Sequence, residues 1–204
     1  AAGEAFDKGA ALLGLSYPGG PSIENEGKLG DRTAFKLPRT MLDKGSLDFS
    51  FSGMKTALLY TVQPPSKQPP GKQRQEKPKP EELPSGQELK NLAASYQEAI
   101  VDVLVGKLRR AAEQHDVQSL CIGGGVAKNI RLRERIANDS VLQDLHLVLP
   151  PLDLCADNGA MIAGLGSILF GQGKTSPIDL DAVAPAQSGG KIKMRPRKPR
   201  RVSK

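Results

Sequence analysis

The sequence predicts an α/β fold in which parallel strands are joined by crossover helices. Two strand–turn–helix units and one long amphipathic helix carry that prediction. VQSLCI (117–122) is a short apolar strand that runs into GGGVAKN (123–129) and then into the helical IRLRERIAN. LHLVLP (145–150) is a second strand, followed by a polar turn and the helical DNGAMIAGLGSILF (157–170). Strand, turn, helix, repeated, is the order of a parallel sheet with crossovers. Ligands gather at the carboxyl ends of such strands, and the turns at 123–129 and 151–158 both lie there.

The remaining elements follow from periodicity. AAGEAFDKGAALLGL has apolar residues at Ala5, Phe6, Leu12, Leu13 and Leu15, the spacing of an amphipathic helix that Gly14 can stop. YPGGP (17–21) is a tight turn by composition. In LDFSFSGMKTALLYTV, Phe49 and Phe51 alternate with Ser50 and Ser52 as in a short strand, and a helix is expected from Gly53. NLAASYQEAIVDVLVGKLRRAAEQ places Leu92, Tyr96, Ile100, Val103, Leu104 and Leu108 on one helical face.

Four sequence segments result. Residues 1–62 form the front part of a domain and 89–188 its back part. Between them lies a segment (63–88) with seven Pro among Lys, Gln and Glu, whose composition favours an extended, solvated insert. Residues 189–204, GGKIKMRPRKPRRVSK, form a basic tail with four Lys, four Arg and no acid. The net charge of +7 therefore resides in the tail, because the rest of the chain has 21 basic against 22 acidic residues. Such a tail can hold RNA through phosphate contacts, or act only as a solubilising extension.

Composition narrows the function classes. The 204 residues are 38% hydrophobic and 4% aromatic with no Trp, so a core would be built from aliphatic side chains. No apolar run approaches the length of a membrane span. The start does not read as a signal peptide. Cys121 and Cys155 form no CxxC pair and lie in apolar segments, so buried free thiols in a reducing cytoplasm are expected. His115 and His146 have no acid or second His at i+3 or i+4 and read as ordinary boundary residues.

Four positions could carry chemistry. Gly123–Gly125 between strand and helix leave backbone amides free to meet an anion or a nucleotide, or they allow helix and sheet to pack tightly. No Lys-Ser/Thr follows as in a phosphate loop, and Lys128 breaks a GxGxxG pattern. Asn129 can cap the helix after the turn or bind a sugar or acyl group. Asp157, before the last helix, is stabilised there by capping and the helix dipole, or serves as one hard ligand of a divalent metal. Asp7, taken alone, is a helix charge.

Together AAGEAFDKGAALLGLSYPGGP, DFSFSGMKTALL, GGGVAKNIRLRERI and PPLDLCADNGAMIAGLG resemble the second half of the TsaD family, the tRNA adenosine threonylcarbamoyltransferases once labelled glycoproteases. The resemblance covers residues 1 to about 170. It implies an actin/hexokinase-like fold of two ribonuclease-H-like domains, of which this chain would supply part. It further implies transfer of threonylcarbamoyl from threonylcarbamoyl-AMP to the adenosine 3′ of the tRNA anticodon. One divalent metal per subunit, iron or zinc, and TsaB-like and TsaE-like partner subunits go with that activity. Position by position, Asp7, Gly20 and Asn129 would contact the adenylate, and Asp157 would be a metal ligand.

The family's HxxxH metal motif is absent from these 204 residues, the Ser-Gly-Gly loop that precedes the first helix in the family is missing before it here, and Glu24 stands where many members have Asp. The chain is therefore expected to be a C-terminal portion that transfers nothing alone, lacks the N-terminal half, and has an unpaired sheet edge. The alternative is a non-catalytic paralogue that binds partners or RNA. A protease would need a general base beside zinc ligands, which this sequence does not offer.

Overall fold

Residues 1–40, 45–64 and 83–178 are described by the computed structural model of the chain. Most of the expected insert and all of the basic tail lie outside the described residues. The chain divides into a unit spanning Ala1–Asn158 and a second spanning Gly159–Lys204.

The first unit is organised around one helix. α1 (Ala2–Leu12) and α2 (Gly19–Gly27) are joined by a short turn, α3 (Ser52–Val62) follows, and α4 (Gly86–His115) runs for 30 residues. α1 stops as expected, with Gly14 at φ +72°, a conformation that glycine adopts without strain. The α4 helix begins at Gly86, before the periodic stretch that starts at Asn91. It is also buried on more than one face, since every residue from Leu92 to Val101 is buried.

Two clusters explain that burial. Phe6, Leu13, Ile23, Met54 and Leu58 pack with Leu92, Tyr96, Ile100 and Val103, so that α1, α2 and α3 wrap the front of α4. Val101, Val105 and Ala112 pack instead with Leu132, Ile136 and Leu142. Between the two clusters no face of the middle of α4 is left to solvent. The fit is close at Gly9, where an added Cβ would fall 2.2 Å from the Tyr96 ring. The Tyr96 hydroxyl donates to the Ala5 carbonyl at 2.9 Å, and burial pushes its pKa above the usual range.

The expected strand–turn–helix order is present. β1 (Ser119–Cys121) leads through a 3-10 turn (Gly125–Lys128) into α5 (Ile130–Ala137), and β2 (His146–Val148) returns parallel to β1. Leu120 sits opposite Leu147, and both pack against the second cluster. Among the described residues these two strands pair only with each other. Their other face is open, which is why Cys121 is exposed rather than buried as expected, whereas Cys155 is buried.

Two other expectations fail. Residues 47–51 form no strand: among the described residues they have no ladder partner, and the Phe49 and Phe51 rings stack on each other at 6.1 Å instead. The turn at 17–21 is shorter than its composition indicates, because α2 starts at Gly19.

A charge network fixes α5 and the loop before α3 to α4. Glu98 on α4 accepts from Arg131 at 2.8 and 2.9 Å and also pairs with Arg135. Asp102, one turn on, pairs with Arg135 and with Arg39, each at 2.7 Å. Burial pushes the Glu98 carboxyl up, but the hydrogen bonds and charges of Arg131 and Arg135 outweigh it and hold the carboxyl below its ordinary value.

In the second unit, α6 (Gly159–Gly171) is a helix of small and apolar residues with exposed side chains, among them Ile162, Leu165 and Phe170. It begins two residues after Asp157, so that carboxylate is not in its first turn.

Candidate functional site

A cleft of about 430 Å³ opens in the first unit where three chain segments meet. Gly3, Phe6 and Asp7 of α1 line one side; their i, i+3, i+4 spacing puts them on a single helical face. Tyr17, Pro18 and the α2 residues Gly20, Pro21 and Glu24 form the second side. Gly125, Val126, Lys128 and Asn129 form the third, with Ala156 beside them.

Asp7 reaches from α1 to α2, where one carboxylate oxygen accepts the Gly19 N–H at 2.9 Å. Pro18, the residue before α2, supplies no side-chain cap, so Asp7 satisfies an amide that the helix cannot. The two helices approach so closely here that a Cβ on Gly19 would lie 2.5 Å from Asp7 Cα and from the Phe6 carbonyl oxygen. Its neighbour differs. A Cβ on Gly20 would meet nothing within 4 Å and would project into open space.

Asn129 is 7% exposed and caps α5: its carbonyl oxygen accepts the Leu132 N–H at 2.9 Å, and its amide donates to Gln97 Oε1 at 2.8 Å. The capping role read from the sequence is therefore present. One amide hydrogen and one lone pair remain for a ligand. Glu24 acts at the same helix end and accepts the Ile130 N–H at 2.7 Å. The glycine turn has room. Among the described residues nothing lies within 4 Å of a Cβ on Gly123, Gly124 or Gly125, so close packing does not account for three glycines there. Gly124, at φ +87°, is needed for the backbone conformation.

Asp157 is placed differently. It is exposed and does not line the cleft, although the preceding Ala156 does. No group of three or more His, Cys, Asp or Glu side chains that could hold a metal occurs among the described residues. Hard divalent ions need several donors at once. The residues present do not fit such an ion; Asp157 offers one donor.

Sequence reasoning missed the residue that joins the two turns. The Arg133 guanidinium on α5 donates to the Ala127 carbonyl at 2.6 Å, to the Pro150 carbonyl at 2.7 Å and to Cys155 Sγ at 3.2 Å. It ties the glycine turn to the segment that carries Ala156 and Asp157. Nothing in spacing marks it, because an arginine in a polar helix reads as a surface charge.

The sequence profile described as "tRNA N6-adenosine threonylcarbamoyltransferase" (TsaD) matches residues 1–164, a span that contains every wall of the cleft. The chain belongs to the TsaD family. It is 47% identical over 184 residues to the tRNA N6-adenosine threonylcarbamoyltransferase of Listeria innocua, covering 89% of this chain and 49% of that protein. The protein of the same name from Thermosipho africanus is 43% identical over 90% of this chain and 50% of its own length. That from Magnetococcus marinus is 47% identical over 85% and 45%. The chain thus spans about half the length of these TsaD relatives.

Proposed function

We propose that this chain supplies the adenylate-holding part of a tRNA N6-adenosine threonylcarbamoyltransferase. The observation that carries the reading is the cleft, which brings Asn129 to Asp7 and Gly20 from far along the chain. Its parts suit an acyl-adenylate. Tyr17, Pro18 and Pro21 offer apolar surface to a base, Asp7 and Glu24 offer carboxylate oxygens to ribose hydroxyls, and the glycine turn offers backbone amides to a phosphate.

In this reading the N6 amine of the adenosine 3′ of the anticodon attacks the carbamoyl carbon of threonylcarbamoyl-AMP. A C–N bond forms, the C–O bond to phosphate breaks, the amine loses a proton and AMP leaves. The chain's own contribution is to position the leaving group, with Gly20 leaving space for it and Asn129 fixed by Gln97 to meet it. The actin/hexokinase-like fold belongs to the same proposal, supported by the parallel β1–α5–β2 unit with its turn at the strand end. So do tRNA as substrate, TsaB-like and TsaE-like partners, and a cytoplasmic site of action. No helix among the described residues is long and apolar enough to cross a membrane. Iron or zinc would require donors beyond Asp157, so no step is assigned to the metal.

The test is the modified nucleoside itself. When synthesis of the protein is switched off in its cells, mass spectrometry of tRNA digests should show loss of threonylcarbamoyladenosine. An unchanged level overturns the proposal.

A further inference from the structure

Three charged side chains line the cleft, and they are not equivalent. Asp7 and Glu24 each spend one oxygen on a backbone amide, at Gly19 and Ile130. Lys128 is exposed, closes the 3-10 turn, and has no hydrogen-bond or ion-pair partner among the described residues. It stands directly before Asn129, whose own side chain is held by Leu132 and Gln97. The backbone beside it is the open glycine turn, where added Cβ atoms would meet nothing. A cation held on a short turn beside free backbone amides, and facing a cleft, is placed for an anion.

We propose that Lys128 is the phosphate contact of this cleft, and that it sets the cleft's preference for a charged nucleotide over the uncharged nucleoside. The inference rests on the adenylate reading above and adds to it the direction in which the ligand lies. A carboxylate repels a phosphate and accepts hydroxyl hydrogens, so the sugar belongs on the Asp7 side, where α1 meets α2. Glu24 is engaged by the Ile130 N–H at the α5 end. The ammonium offers three donors and a compact positive charge, so the phosphate belongs on the side of the glycine turn. Because Lys128 is exposed and supports no neighbour, replacing it leaves the packing of α1, α2 and α5 intact.

The experiment is calorimetric titration of the intact chain with AMP and, separately, with adenosine, for the native protein, Lys128→Gln and Lys128→Arg. Loss of one solvent-facing charged contact should weaken AMP binding about five- to tenfold in Lys128→Gln. Adenosine binding should stay unchanged, and Lys128→Arg should retain the preference for AMP. Added salt should weaken AMP binding to the native chain more than to Lys128→Gln. If Lys128→Gln shifts AMP and adenosine equally, or shifts neither, the phosphate contact is overturned while the nucleoside cleft stands. If the native chain binds neither ligand, the adenylate reading falls and this inference falls with it.

Discussion

Gly19 and Gly20 are adjacent and identical, yet the structure gives them opposite roles. Gly19→Ala forces a methyl group against the backbone of Phe6 and Asp7 and should cost about 1–3 kcal/mol of stability, read as a lower thermal midpoint. Gly20→Ala meets open space, so the midpoint should hold while AMP affinity falls because the cleft is narrowed. Equal effects of the two substitutions on stability would contradict the assignment. Asn129→Ala removes the α5 cap and leaves Gln97, itself buried, without a donor; about 1–3 kcal/mol should be lost, measured by denaturant unfolding. The capping part of Asn129 was legible in the sequence, since Asn before a helical run has a mechanism. Its fixation by Gln97 was not, because a contact across 32 residues leaves no local pattern.

At the level of elements, legibility followed how local the stabilising forces are. α1, α5 and the two parallel strands were readable because amphipathic spacing, short apolar runs and glycine punctuation specify them within a few residues. α2 was not: GGPSIENEG contains three glycines and a proline, and the segment is helical because Ile23 enters the core and Gly27 lies flush on α4. The Phe49–Phe51 alternation misled because an i, i+2 pair stacked along an extended segment has the same signature as a strand. Asp157 was read as a helix start, but α6 begins at Gly159. The ties between elements are charged. Arg133→Ala severs the glycine turn from residues 150–155 and should cost about 1–3 kcal/mol. Glu98 makes the fold pH-dependent, since its folded carboxyl lies below its ordinary 4.5. The unfolded chain therefore takes up the proton first on acidification, and the stability Glu98 contributes, full above that value, is lost as pH falls through the lower folded one. Glu98→Gln should flatten this acid limb; an identical limb in both proteins would show that the network with Arg131 and Arg135 contributes nothing there.

Across the whole molecule, the described residues of the first unit form a core and a cleft but do not gather the donors of a metal centre. Titration of the isolated chain with zinc or ferrous iron should give no tight one-to-one step, and a tight one would show a site that Asp157 alone cannot make. The central claim is that residues 3–24 and 125–129 form one adenylate site. Hydrogen exchange with and without an unreactive threonylcarbamoyl-AMP analogue tests it most directly. The account predicts slowed exchange in both segments at the same ligand concentration, with the amides of 124–128 included. Protection confined to one segment, or centred elsewhere in the chain, would contradict it.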